Sequence, residues 1–152
     1  IGVSVSPKEA EYWGNEIAYV LPADLSRLHD LSRINKTKKS LSLLGIEKAR
    51  NKTHPENTIL VQRSGFPMPR IGILKIPAVI SFYFLTVTVK KENLLLPEYV
   101  ALMLNSSKEQ ISYFANVGGA LPSFSKNTLL SMQIPLIPMD MQKKIAQKNI
   151  SG

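Results

Sequence analysis

The sequence predicts a single α+β domain in which a twisted, mostly antiparallel sheet is combined with several helices. Three observations support this fold class. The 152 residues match the usual size of one domain, and neither an internal repeat nor a linker divides them. With 44% hydrophobic and 20% charged residues, the composition is typical of a globular protein rather than a disordered chain. Runs with strand character dominate the first part of the chain, and helical signals follow in the second.

The first strand and the turn after it lie near the start of the chain. Residues 16–20 (EIAYV) form a short strand candidate that Pro22 closes, and PADLS is typical of a turn in which Asp24 caps the residues after it. Residues 38–45 (KKSLSLLG) alternate weakly before Gly45 stops the pattern. A strand and a short helical turn both fit that stretch, and the sequence leaves the choice open.

Three later segments have stronger strand character. Residues 58–63 (TILVQR) and 70–76 (RIGILKI) flank SGFPMP, in which one glycine and two prolines exclude regular structure. Residues 81–90 (SFYFLTVTVK) are β-branched and aromatic, and we assign their three aromatic side chains to the core. We expect these three segments to pair in one sheet.

Helical signals mark the last third of the chain. Pro97 suits the first position of a helix, and Gly118 and Gly119 are placed to end a later one. The predicted elements are a helix from Pro97 to Asn105, a helix over residues 108–116, one helical turn over residues 127–132, a strand over residues 133–137 and a helix over residues 139–150. The last helix has only about three turns, so we expect it to depend on packing against the domain.

Several chemical functions lack their motifs in this sequence. There is no cysteine, and His29 and His54 lie outside any spaced metal-binding motif. Neither a phosphate-binding loop nor a dinucleotide fingerprint occurs. We therefore expect no cofactor, no metal and no catalytic activity. Because the uncharged, strongly apolar run over residues 76–89 is too short to span a bilayer, we also expect no membrane segment and a soluble, cytoplasmic protein.

The charge of the chain is strongly positive and uneven. Nineteen Lys and Arg residues against eleven Asp and Glu residues give a net charge of +8 and a pI near 9.8. Most of the excess lies between residues 27 and 52. Clustered basic charge is typical of a protein that binds a polyanion, most often nucleic acid. A solvated, solubilising surface explains the charge equally well, and composition alone leaves both interpretations open.

Six segments occur in a specific order along nearly the whole chain. They are SPKEAEYWGNEIAYVLPADLS, INKTKKSLSLLGIEKA, NTILVQRSG followed by RIG, PEYVALMLNSS, GGALPSFSKNTLLSMQIPLIP and PMDMQKKIA. This series resembles a target recognition domain from the DNA-specificity subunits of type I restriction-modification enzymes. The last segment is similar to the Pro-x-x-Glu-Gln-x-x-Ile signature at the start of the family's conserved spacer helix, with Met141 in place of the glutamate.

The resemblance implies an organisation and a function. Residues 1–138 would form the recognition domain, and residues 139–152 the stub of the long spacer helix. Family subunits carry two such domains joined by long helices, so the chain would be one half of a bipartite reader of double-stranded DNA. It would be a truncated subunit, a half-subunit or an excised domain. The implied partners are the methyltransferase subunit and the restriction subunit, and the sequence leaves open whether two copies pair through the terminal helix.

Roles can be assigned to individual side chains of such a domain. We expect phosphate contacts from Lys36, Lys38, Lys39, Lys48 and Arg50. Base contacts are expected from the loops that hold Gln62, Arg63, Ser64 and Arg70, since glutamine pairs with adenine and arginine with guanine. A phosphate site at the start of a helical turn would use Ser123, Ser125 and Lys126. Partner binding on the spacer helix would use Met141, Gln142 and Ile145.

Each interpretation has an alternative. Arg63 would cap a strand end, Arg70 would pair with a carboxylate, and Ser125 would be only a helix N-cap. Tyr12 and Trp13 are assigned to packing rather than to base stacking. For the whole chain, the alternatives to DNA recognition are an assembly module that no longer reads DNA, a small hydrolase with dispersed carboxylates, and an RNA-binding protein.

Overall fold

The computed structural model describes residues 4–26, 30–50, 52–63, 69–108 and 126–150. These residues contain eight strands, four α-helices and two short 3₁₀ turns. The strands are β1 (Trp13–Val20), β2 (Ser32–Ile34), β3 (Lys39–Leu41), β4 (Thr53–His54), β5 (Ile59–Gln62), β6 (Ile71–Leu74), β7 (Ala78–Ile80) and β8 (Phe84–Val87). The helices are α1 (Leu43–Lys48), α2 (Pro97–Ser106), α3 (Lys126–Leu130) and α4 (Met139–Ile150), and the 3₁₀ turns are Ala10–Tyr12 and Pro22–Asp24.

The strands form two mixed sheets of four strands each. The first has the order β3-β1-β7-β4 and the second the order β2-β6-β5-β8. Each sheet contains one parallel pair, β1 with β7 and β2 with β6, and the other pairs are antiparallel. The predicted α+β class and the mostly antiparallel pairing are therefore confirmed. The three strongest strand segments do share one sheet, but the eight strands together divide into two.

The two sheets pack face to face, and helices cover their outer faces. One apolar cluster contains Val20 and Ile80 from the first sheet and Leu60 and Leu74 from the second. Another cluster joins the opposite face of the second sheet to α2 and α4. A third lies on the outer face of the first sheet, where Ala49 follows α1. The layers are therefore α1, the first sheet, the second sheet, and α2 together with α4.

The stretch over residues 38–45 uses both structures that its sequence allows. Strand β3 ends at Leu41, and Ser42 then caps α1, because its Oγ accepts a hydrogen bond from the N–H of Gly45 at 3.1 Å. The sequence predicts that Asp24 caps the residues after it, but the structure shows a different role. Its carboxylate instead accepts hydrogen bonds from the N–H groups of Leu21 and Lys38, each at 2.9 Å.

The region after residue 96 agrees with the expected helices but not with the expected last strand. Helices α2, α3 and α4 lie where the sequence predicts them. The helix predicted over residues 108–116 falls almost wholly outside the described residues. The strand predicted over residues 133–137 is wrong, because Pro135 lacks the N–H that a sheet ladder needs. That segment is held by side chains, with the Tyr99 hydroxyl donating to the carbonyl of Pro135 at 2.7 Å.

Assigning all three aromatic residues of the 81–90 segment to the core is also wrong. Phe84 is fully buried, but Phe82 is 40% exposed and Tyr83 is 44% exposed. The alternation fails because β8 begins only at Phe84, and residues 81–83 form the connection from β7 in the first sheet to β8 in the second.

A buried amide holds the terminal helix to the domain. Gln142, in the first turn of α4, is fully buried. Its Oε1 accepts a hydrogen bond from the N–H of Leu96 at 2.8 Å, and its Nε2 donates to the carbonyls of Leu94 at 2.8 Å and Ile137 at 2.9 Å. Ala146, one turn further on, is buried in the cluster that contains α2. This support explains how a short helix rich in lysine stays folded.

Gln142→Leu should therefore lower the free energy of unfolding by about 2–4 kcal/mol, because it removes the hydrogen-bond partner of three partly buried backbone groups. Gln147→Leu, at an exposed position of the same helix, is the matched control and should change stability by no more than about 0.5 kcal/mol. The measurement is urea unfolding followed by circular dichroism. Equal midpoints for the two variants would contradict the anchoring role.

Candidate nucleic-acid interface

The ends of several strands meet at one end of the domain. β1 and β7 run parallel and finish together, with Val20 beside Ile80. In the second sheet, Gln62 at the end of β5 pairs with Phe84 at the start of β8. The two sheets are joined there, because Arg70 Nη1 donates to the carbonyl of Pro22 at 2.5 Å. We call this region the loop end, and define it by residues 22–24, 38–39, 62–63, 70 and 81–83.

Three predicted base-contacting residues lie at the loop end, but only one of them is exposed. Arg63 lies on the surface, and its backbone N–H donates to the carbonyl of Tyr83 at 2.8 Å. Gln62 and Arg70 are partly buried and hold the connection together, since Gln62 Oε1 accepts from the N–H of Arg70 at 3.1 Å. A bidentate contact from Gln62 to adenine would need that oxygen. Arg63 is therefore the best placed of the three to contact a ligand.

Two of the predicted phosphate-binding lysines are at the same end. Strand β3 pairs with β1 so that Lys39 lies opposite Tyr19, near the end of β1. The preceding Lys38 is tied to the 3₁₀ turn by its backbone bond to Asp24. Both lysines are exposed, as is Lys36 in the connection between β2 and β3. A stretch that the sequence identifies only by its charge thus lies at the same end of the domain as Arg63 and Arg70.

Aromatic rings position two of the lysines. The Nζ atom of Lys39 lies 5.1 Å from the ring centroid of Trp13, and that of Lys48 lies 5.9 Å from the ring of Tyr12. Trp13 also contacts Tyr19 edge-to-face with ring centroids 5.4 Å apart. Both Tyr12 and Trp13 are partly buried, which supports their assignment to packing.

A basic cavity lies on the outer face of the first sheet. Ser4, Lys48, Arg50 and Lys52 line a space of about 310 Å³. Lys52 precedes β4, whose Thr53 pairs with Val79, so the register places it beside the end of β7 and close to the loop end. Three cations around one concave space suit an anionic group such as a phosphate.

The backbone of Arg50 is in the left-handed region, with φ of 57°. Its N–H donates to the carbonyl of Glu47 at 2.8 Å, which closes the end of α1. Glycine is the usual residue at such a position, because a Cβ atom there is strained. An arginine that accepts this strain while lining the basic cavity is a candidate for a functional side chain.

Of the remaining predicted site residues, Ser64, Ser123 and Ser125 lie outside the described residues. Lys126 lines an apolar cavity of about 240 Å³ together with Thr86, Val87 and Thr88. Because Val87 pairs with Ile59 at the start of β5, this cavity lies away from Gln62 and Arg63.

The predicted partner-binding residues of α4 differ in their exposure. Met141 is 50% exposed and remains available to a partner. Ile145 is partly buried against the α2 cluster. The side chain of Gln142 is fully buried and bonds to backbone groups of the domain itself, and its role in partner binding stays a prediction. The helix thus offers a smaller free surface than its sequence suggests.

A buried ion cluster, which the sequence did not predict, joins α2 to the second sheet. The carboxylate of Glu98 is 10% exposed and pairs with Arg33 of β2 and with Lys75, whose Nζ lies 2.5 Å away. Burial raises the pKa of Glu98, but hydrogen bonds from Lys75 and Arg33 outweigh it, so the pKa is lowered overall. Lys75 follows β6 at the end opposite Arg70. We call this region, with Glu98 and the start of α4, the helix end.

The structure is an α+β domain in which cations from four chain segments, around residues 38, 52, 63 and 70, lie at or close to the loop end. Residues 5–148 match the family described as the type I restriction modification DNA specificity domain, and the chain belongs to this family. The family resemblance of the sequence is thereby confirmed. The described residues contain no helix with the length and apolar character of a membrane span, and no group of three or more potential metal ligands.

Two known proteins extend the comparison. The chain is 25% identical over 147 residues to the type I restriction enzyme MjaIX specificity subunit of Methanocaldococcus jannaschii. The alignment covers 95% of this chain and 33% of that subunit. A chain in a solved structure of a type I R-M system, described in terms of complex assembly and conformational transition, superposes with a TM-score of 0.68 at 17% identity. That match covers 99% of this chain and 34% of the other, and it shows a shared fold. The chain thus spans about a third of the length of both relatives.

The ion cluster makes stability depend on pH with a definite sign. The folded-state pKa of Glu98 lies below its ordinary value of 4.5, so its contribution is complete at neutral pH and is lost as the pH falls below 4.5 through the folded-state pKa. Glu98→Gln should cost about 2 kcal/mol at pH 7, and the difference from the parent should shrink in acid. Glu56→Gln, an exposed control, should show no such trend. The readout is urea unfolding from pH 7 to pH 3, and a pH-independent difference would exclude this ionic contribution.

The strain at Arg50 is tested by comparing two truncations. Arg50→Gly and Arg50→Ala both remove the side chain, but only glycine relieves the positive φ. Arg50→Gly should therefore be more stable than Arg50→Ala by about 0.5–1 kcal/mol in thermal or urea unfolding. A glycine variant that is less stable than the alanine variant would show that the left-handed conformation carries no penalty here.

Proposed function

We propose that this domain recognises double-stranded DNA at one half of a bipartite site, as the DNA-reading part of a type I specificity subunit. The observation that carries the proposal is the loop end itself. Chain segments around residues 38, 52, 63 and 70 each bring a cation to the region where the strands of both sheets finish. Family membership supports the same function.

The geometry supports a division of roles among these cations. Phosphate contacts are assigned to six exposed basic side chains, those of Lys36, Lys38, Lys39, Lys48, Arg50 and Lys52. They supply affinity that falls with salt and carries no sequence information. Arg63 is assigned to the base edges, where a bidentate contact to guanine discriminates by about 1–3 kcal/mol. Gln62 and Arg70 are assigned to positioning the loops.

The opposite end of the domain suits assembly. We infer that residues 139–152 begin a spacer helix and that Met141 contacts a partner such as the methyltransferase subunit. Leu136, on the segment leading into α4, is also exposed. The domain is proposed to act by binding and to perform no catalysis itself. The description of its relative as a specificity subunit supports this role. The proposed location is the cytoplasm.

Selection from a randomised duplex library at roughly physiological salt tests DNA reading directly. The chain should enrich one short motif, since nonspecific binding is suppressed at that salt concentration. Arg63→Ala should then weaken the selected sequence by about 10- to 100-fold and relax one base position. Lys48→Ala should weaken all sequences alike and reduce the salt slope by about one.

Lys126→Ala is the matched control for these variants, because Lys126 is exposed and basic but lies away from the loop end. It should leave both affinity and sequence preference nearly unchanged. If no motif is enriched by the chain alone, or together with a methyltransferase subunit, the DNA-reading function is wrong. A loss at Lys126 equal to that at Arg63 would place the interface elsewhere.

A further inference from the structure

Two neighbouring aromatic rings, those of Phe82 and Tyr83, are exposed at the loop end. Phe82 and Tyr83 have ring centroids 4.2 Å apart at an interplanar angle of 31°. They remain 40% and 44% exposed, although Phe84 beside them is fully buried. Single exposed apolar residues are common on protein surfaces, but two adjacent rings form a small apolar patch that is more typical of a binding site.

The backbone that carries the two rings is fixed from both sheets. Ser81 is fully buried, and its N–H donates to the carbonyl of Val20 in the first sheet at 3.0 Å. The carbonyl of Tyr83 accepts from the N–H of Arg63, which follows β5 in the second sheet, at 2.8 Å. Rings held on such a support lose little conformational freedom when they bind a ligand.

The charge around the rings indicates what they bind. Arg63 is tied to the backbone that carries the rings, because its Nη1 donates to the carbonyl of Phe82 at 3.4 Å. Lys38, Lys39 and Arg70 lie at the same end of the domain. An apolar patch that shares one end of the domain with several cations complements a ligand that is anionic at its edges and locally apolar at its centre, which describes a DNA groove between its phosphates.

The chemistry of the base edges then indicates which group in the groove the rings contact. In the major groove the four bases present hydrogen-bond donors and acceptors, and the only apolar group among them is the 5-methyl group of thymine. We propose that Phe82 contacts the methyl group of a thymine in the recognised half-site, with Tyr83 supporting the ring by stacking. This inference rests on the proposed DNA-reading function. It makes the turn between β7 and β8 a specificity determinant beside Arg63.

The test uses the 152-residue chain and the duplex selected by it, with deoxyuridine replacing each thymine in turn. At one or two positions, loss of the methyl group should weaken binding by the parent protein about fourfold, the factor expected for burying one methyl group. In Phe82→Ala the same replacement should have no effect, which is the sign of direct coupling between the ring and the methyl group. Tyr83→Phe keeps the stacked ring and should retain the methyl effect.

Leu94→Ala is the control for removing an exposed apolar side chain, since Leu94 is 45% exposed and lies at the helix end. It should bind thymine and uracil duplexes as the parent does. If Phe82→Ala loses affinity equally for both duplexes, or if no thymine methyl affects the parent, the inference is overturned while the DNA-reading function stands. If the parent enriches no motif at all, both fail together.

Discussion

The constraint on which the rest of the structure depends is the burial of β5 and β6 on both faces. Ile59 and Val61 point toward α2, Leu60 points toward the first sheet, and all three are fully buried. At about 25 cal/mol per Å² of apolar surface, such residues supply much of the driving force for folding. Because both faces of these strands are covered by protein, a ligand can reach them only at their ends. A ligand-binding site that uses these two strands is therefore formed by the loops at their ends.

The two ends of the second sheet are stabilised by different chemistry. At the helix end, Glu98 and Gln142 are buried polar side chains that tie α2 and α4 to the domain. Such groups stabilise a fold only when their partners are in place, so they fix the position of the helices closely. At the loop end, Arg63 and the lysines are exposed. Under the proposed function, fixed helices at one end and solvated cations at the other would separate assembly from DNA binding.

The local sequence pattern predicted those elements whose character and limits are set by neighbouring residues. The strands β5 and β6 are β-rich runs bounded by glycine and proline, and α2 begins at Pro97 as expected. The crossing of the chain between sheets at residues 81–83 could not be predicted, because nothing local distinguishes a strand that changes sheets from one that continues. The exposure of Phe82 and Tyr83 follows from that crossing, so it was missed as well.

The candidate site was predictable in its charge but not in its geometry. The basic stretch between residues 27 and 52 is visible in the sequence, and its lysines are exposed as a polyanion interface requires. The partners of Glu98 lie 65 and 23 residues away, so its ion cluster has no sequence signature. The polar clamp made by Gln142 likewise depends on Leu94, 48 residues earlier. Long-range contacts of this kind decide which polar residues are structural and which remain free to bind.

The separation of the two ends has a consequence for affinity under the proposed function. A single module buries roughly 600–1,000 Å² on DNA, which limits how tightly one domain can bind. Joining a second module through the helix end would add its contacts without covering the loop end of the first. The gain in affinity then depends on the effective concentration of the second module at its half-site, which is high only when the length of the linkage matches the distance between half-sites. A helix anchored through a buried Gln142 fixes the direction in which that linkage leaves the domain, and a stiff linkage converts this direction into a defined spacing on DNA.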